Sequence, residues 1–265
     1  MSAILMKRRN NITRLLIAAF MATMLLVPCL QAQNALEDAA KAYQEENYAE
    51  AASILENEIS IRKEKGLESS GLYYNLGNAY FRDNEIAKAI LNYERANLID
   101  PGDRDIRHNL EFARTKTEDK IISVDTFFLQ SWFDGVQNLQ SSNAWAKLSV
   151  ILFLLFMASL AVFFFINRLL AKKVTFYTAI ITLALLILTN VFSYRQKSKI
   201  LNRDTAIITA YSVSITSSPD SNSKELFQLH AGTKVKITKR DGSWMEIEID
   251  NGNVGWITKD KLEVI

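Results

Sequence analysis

The chain has 265 residues, 49% of them hydrophobic, and a formal net charge of +2. That length accommodates two small domains beside a membrane segment, and the near-neutral balance gives no electrostatic reason to expect a nucleic-acid partner. One cysteine, Cys29, and two histidines, His108 and His230, far apart and without a neighbouring ligand pattern, speak against a disulfide framework, a thiol nucleophile or a structural zinc.

Lys7, Arg8, Arg9 and Arg14 precede the apolar stretch from Leu15 to Val27, and Pro28-Cys29-Leu30-Gln31-Ala32-Gln33 follows. This is the pattern of a secretory signal peptide over residues 1–32, with cleavage after Ala32. An uncleaved anchor and lipidation at Cys29 stay open beside it, although Pro28 fits a lipoprotein box poorly.

Residues 35–118 read as helix pairs. The clearest copy runs from Ser70 to Asp103 and places Tyr73, Leu76-Gly77, Tyr80, Ala89, Tyr93, Ala96 and Pro101 within a 34-residue period. This closely resembles the tetratricopeptide repeat signature. Gly77 and Ala89 are small where two helices cross, Tyr80 and Tyr93 fill the space around them, and Pro101 stops the second helix. A degenerate earlier copy carries Ala39, Ala42, Tyr48, Ala51 and Leu55, and a last helix from Asp105 to Lys116 caps the array. The first helices of such pairs line a concave surface for a peptide or partner helix. Tyr74, Asn78, Phe81 and Arg82, with His108 and Phe112 on the capping helix, are the groove candidates. The competing reading packs Tyr74 and Phe81 against the preceding helix and leaves His108 as a partly exposed helix residue.

Residues 119–146 alternate aromatic and polar positions at helical spacing. An amphipathic helix in the headgroup layer, with Phe128, Trp132 and Trp145 at the membrane interface, is expected; a protein contact surface competes.

Two uncharged apolar runs follow, Leu148 to Ile166 and Val174 to Tyr194, giving expected spans at 147–167 and 174–194, each long enough to cross about 30 Å of hydrocarbon. Their break holds Arg168, Lys172 and Lys173 and is too short for anything but a hairpin, so the flanks lie on one side of the bilayer. Arg195, Lys197, Lys199 and Arg203 beyond the second run leave the positive-inside count undecided, and the signal sequence decides for both flanks outside the cytosol.

Residues 204–265 change to short alternating segments at 205–211, 226–229, 233–239, 244–249 and 255–258, punctuated by Ser218-Pro219-Asp220, Asp241-Gly242 and Asn251-Gly252. Five strands of a small antiparallel barrel are expected. Leu229 to Gly232, Gly242-Ser243-Trp244 and Gly252 to Ile257 resemble the bacterial SH3 family, with Thr216-Ser217 standing where family members carry an arginine. Tyr211 and Trp244 are the ligand candidates; core packing is the stronger reading for both Trp244 and Trp256 in a domain short of apolar volume.

The sequence contains no GxSxG, GxxxxGK[ST], HExxH or CxxC motif, so no enzymatic activity, cofactor or metal is expected. The fold class is a multi-domain membrane protein: α-helical repeats, a two-helix transmembrane hairpin and a small all-β SH3-like barrel. In this order the modules resemble the E-type proteins of the aerotolerance (Bat) operon family. That resemblance implies an inner-membrane component working beside von Willebrand A-domain membrane proteins and a MoxR-type ATPase, under oxygen or envelope stress. The expected function is a scaffold or adaptor that presents both soluble modules on the periplasmic side. A peptidoglycan-binding or cell-wall-sensing protein is the alternative.

Overall fold

The computed structural model describes residues 35–121 and 127–265, so the signal-peptide and Cys29 readings lie outside the described residues. The chain divides into two units, residues 1–68 and residues 69–265.

In the first unit, α1 (35–44) and α2 (Tyr48–Glu64) form a helical hairpin that turns through Glu46, held at φ 61°. Its buried side are the alanines and leucine that a 3.6-residue period aligns: Ala39 and Ala42 on α1, Ala51, Ala52 and Leu55 on α2. Tyr43 and Tyr48 meet edge to face at 5.2 Å beside the turn.

The second unit begins with α3 (Ser70–Arg82), α4 (Ile86–Ile99) and α5 (Arg104–Arg114). α3 and α4 pack closely because Gly77 has no side chain: a Cβ there would lie 2.6 Å from the Tyr93 ring. Ala89 and Tyr93 are accordingly almost fully buried. α4 stops before Pro101, and Asp103 then caps α5 by accepting from the Asp105 and Ile106 amides.

A short helix, α6 (Phe128–Gln137), leads into two long ones, α7 (Ser142–Phe165) and α8 (Leu169–Asn202). These two are antiparallel, as the pairs Ser142–Ser193, Ser149–Asn190 (2.6 Å) and Phe163–Phe176 (6.1 Å) require. Both are long and apolar enough to cross a membrane, and only 11% and 17% of their apolar windows are buried by protein. A helix in the core of a soluble domain would instead be covered on most sides.

The helices differ in extent from the runs read in the sequence. α7 ends at Phe165 and α8 starts at Leu169, with Ile166-Asn167-Arg168 making the turn. At the other end α8 continues through Arg195 to Asn202, where no proline or glycine interrupts it. Its 34 residues measure about 51 Å at 1.5 Å per residue, some 20 Å more than a hydrocarbon core.

The C-terminal part is an antiparallel all-β, SH3-like domain. Among the described residues it has seven strands in the order β3-β2-β6-β5-β4-β1-β7: β1 (Thr205–Ile208), β2 (Ser212–Thr216), β3 (Glu225–His230), β4 (Lys234–Asp241), β5 (Trp244–Glu248), β6 (Val254–Thr258) and β7 (Leu262–Val264). This corrects the expected five: 205–211 is not one strand but β1 and a corner leading into β2, and β7 is added by pairing with β1. Alternate residues fill the interior, among them Ile208, Ile215, Leu229, Val235, Ile247 and Ile257. On β1, Ala206, Ile207 and Ile208 are all fully buried, which an alternating strand permits only when both faces are covered; α4 packs on β1.

Candidate binding surfaces

On the helical part, α3 and α5 bring together four of the six groove candidates. Asn109 Nδ2 donates to Tyr74 Oη at 3.0 Å and to Asn78 Oδ1 at 2.9 Å, and Tyr93 Oη donates to the same Asn78 oxygen at 2.7 Å. One turn on, Phe81 and Phe112 stack at 5.5 Å, and Lys116 lies over the Phe112 ring at 5.4 Å. Phe112 remains 49% exposed, so this is a surface ledge and not a closed core. Arg82 and His108 are exposed. Asn109 was not singled out from the sequence, although it shares a helix face with Phe112 three residues on.

At the mouth of the hairpin, Gln137 is a hub. Its carbonyl accepts from Trp145 Nε1 and from Gln196 Nε2, both at 2.8 Å, while a second Gln196 bond goes to the Gln140 carbonyl. Phe133, Phe192 and Trp145 stack successively at 4.9 and 5.0 Å. These contacts bind α6 to the ends of α7 and α8. Phe128 and Trp132 point outward, 69% and 66% exposed. Trp145 does not share that orientation, which corrects its expected lipid-facing role: its ring is buried in the aromatic stack and its indole N–H is taken by a backbone carbonyl.

In the β domain, Tyr211 is 84% exposed at the corner before β2. Trp244 and Trp256 require a second correction. Met245, Ile247 and Ile257 face the interior, so alternation turns Trp244 and Trp256 to the outer face of the β5–β6 ribbon, where both are half-buried. Glu246, opposite Trp256, is held by Thr238 at 2.7 Å and Lys239 at 3.0 Å.

The β domain is also docked on the helical part through a polar joint that sequence reasoning missed. Glu94, 2% exposed on α4, bonds Arg114 on α5 and Lys234 on β4, the latter at 2.7 Å. Burial alone would raise its pKa, but the two cations outweigh burial and hold it below the usual carboxylate range. Arg95 reaches Glu263 at 2.7 Å and the Val264 carbonyl at 2.8 Å. At the far end Asp119 accepts from the His230 amide (2.7 Å) and Thr233 Oγ1 (2.6 Å) and lies 2.8 Å from His230 Nδ1. Between them Gly232, at φ 90°, comes so close that a Cβ would lie 2.8 Å from Thr117 and 3.1 Å from Ile90. Residues 119–121, assigned from the sequence to the interfacial segment, therefore belong to this joint, and Ile121 packs on the β core. Among the described residues no group of three or more His, Cys, Asp or Glu side chains is arranged to hold a metal ion.

Residues 213–263 match the bacterial SH3 domain family, so the chain carries a bacterial SH3 domain at its C-terminus, a kind of module that suggests binding of protein or peptidoglycan. Among curated proteins no relative is found.

Proposed function

We propose that this protein is a non-enzymatic membrane scaffold in which α7 and α8 span the bilayer and hold a tetratricopeptide-like helical module and the SH3-like domain together on the periplasmic face of the inner membrane. The observation that carries this reading is the antiparallel pairing of α7 and α8 together with the joint. Ser142 meets Ser193 at one end of the helix pair, so the chain on both sides of the hairpin leaves from that end. The bonds from Glu94 and Asp119 to Lys234, His230 and Thr233 support a single compartment for both modules.

Phe128 and Trp132 lie in the headgroup layer, with α6 acting as a collar around the hairpin mouth. The ledge of Tyr74, Asn78, Asn109, Phe81 and Phe112 receives a protein partner. The resemblance to the Bat operon family makes von Willebrand A-domain membrane proteins and a MoxR-type ATPase the partners of first interest, in an aerotolerance or envelope-stress complex. Photocrosslinking in membranes from a reactive residue at Phe81 tests this. Capture of one defined membrane protein is expected, and loss of the adduct on Phe112→Ala; capture of nothing above an Arg168 control, which sits in the hairpin turn, would refute it.

A second reading rests on the SH3 match and on the outward-facing Trp244 and Trp256: the domain retains peptidoglycan. Sedimentation of the full chain in detergent with purified peptidoglycan separates the readings, because the scaffold reading expects no retention beyond that of a Trp244→Ala, Trp256→Ala variant.

A further inference from the structure

His230 presents both ring nitrogens to acids at the edge of the joint. Nδ1 lies 2.8 Å from Asp119 Oδ1, and Nε2 lies 3.4 Å from Glu118 Oε1. A neutral imidazole carries one ring proton and donates from one nitrogen; only imidazolium donates to both carboxylates at once. The Asp119 carboxylate is held independently of the ring's state, since the His230 amide and Thr233 Oγ1 both donate to its other oxygen.

Other charged groups line the cleft beside Asp119. Lys120 donates to the Thr115 and Thr117 carbonyls, while Arg114 and Lys234 are bound to Glu94. Asp250 lines the same cleft of about 340 Å³, together with Asp119, Thr233 and Lys234. From α4, Ala87 and Ile90 approach the β3–β4 turn and are uncharged; so is Ser212, the strand partner of His230.

We propose that this joint is a proton-tightened latch: protonation of His230 strengthens the docking of the SH3-like domain on α4 and the segment after α5, and deprotonation loosens that docking while both parts stay folded. The mobile-contact side is the β3–β4 turn, because its hold on the helical part consists of the Asp119 bonds and the close approach of Gly232. Loosening is confined to this turn, because the Glu94–Lys234 and Arg95–Glu263 bonds keep the rest of the joint closed.

The sign follows from linkage. The Asp119 bond, opposed by partial burial and aided by the charges of Asp119 and Glu118, raises the His230 pKa above the ordinary 6.5. The contribution to docking is therefore complete below the ordinary value and is lost as pH rises through the folded-state pKa. This latch works on either side of a membrane, so it stands apart from the topology proposed above.

The test uses the full chain in lipid nanodiscs. The His230 ring is titrated by NMR, and hydrogen exchange of residues 230–234 is followed from pH 5.5 to 8.5, corrected for intrinsic rates. The expected midpoint lies above that of the same ring in the urea-unfolded chain, with protection at the turn falling as pH passes the midpoint. Glu118→Gln, which removes only an exposed carboxylate, shifts both midpoints down together, and His230→Gln abolishes the pH step. A His230 midpoint at or below the unfolded value, protection that does not change with pH, or an undiminished step in His230→Gln would each overturn the latch. Unchanged far-ultraviolet circular dichroism across the same range shows that the parts stay folded; a parallel loss of helix signal would contradict the proposal.

Discussion

Lys234 Nζ sits 2.7 Å from Glu94 Oε2, joining β4 to α4 across 140 residues of sequence. Glu94 is 2% exposed, whereas Lys234 keeps 34% of its side chain in solvent, so the acid is the more costly of the two to strand. Lys234→Met leaves Glu94 with Arg114 alone and lowers stability by about 1–3 kcal/mol, less than for a wholly orphaned buried charge. Urea unfolding of the wild type, Lys234→Met, Glu94→Gln and the double variant checks this. A coupling term near zero in that cycle would mean the pair does not hold the joint.

Gly77 and Gly71 on α3 respond oppositely to a side chain. Gly77→Val drives two methyl groups into Tyr93 and costs about 1–3 kcal/mol. Gly71 has only Ser69 Oγ within 4 Å, at 3.9 Å, so Gly71→Ala is neutral or stabilises α3 by up to about 1 kcal/mol through helix propensity. Thermal melts of the two variants rank them directly.

These glycines mark how far the sequence could be read. The approach of Gly77 to Tyr93 was legible because it lies within one helix pair, 16 positions apart. The hairpin was legible because its runs are long and uncharged. By contrast, β7 is only three residues and exists through its pairing with β1, which no local pattern announces. Trp244 and Trp256 were assigned to the core by size, but Met245, Ile247, Gly255 and Ile257 already occupy the inward register. The joint was invisible for another reason: Glu94 with Lys234 and Asp119 with His230 are ordinary surface residues until folding brings them together.

Gln196 fastens α6 to α8 through two backbone carbonyls, those of Gln137 and Gln140. Gln196→Leu leaves both with one donor fewer, the Gln137 carbonyl in a buried place, and loosening of α6 by about 1–2 kcal/mol is expected. Faster hydrogen exchange in 128–140, with α7 and α8 unchanged, is the measurement. Unchanged exchange there would show that the aromatic stack of Phe133, Phe192 and Trp145 suffices.

Asp119 sets the acid limit of the joint as His230 sets its alkaline one. Although burial would raise the Asp119 pKa, bonds from Thr233 and His230 bring it below its ordinary 3.8. Its contribution is present above the ordinary value and is lost as pH falls through the folded one. Docking is thus strongest between about pH 4 and about pH 6.5, the ordinary His230 value, and weakens as pH rises through the folded-state pKa. Asp119→Asn removes the acid limb and lowers exchange protection at 230–234, leaving on the alkaline side only the smaller step that Glu118 supports.

The proposed scaffold requires α7 and α8 to bring the helical module and the SH3-like domain to one face of a membrane. Single cysteines at the exposed positions Lys65 and Asp260, in a Cys29→Ser background, are offered to a membrane-impermeant maleimide before and after the membrane is opened. The account predicts that both are modified from the periplasmic side in intact cells. Modification of one from outside and of the other only after the membrane is opened would contradict it.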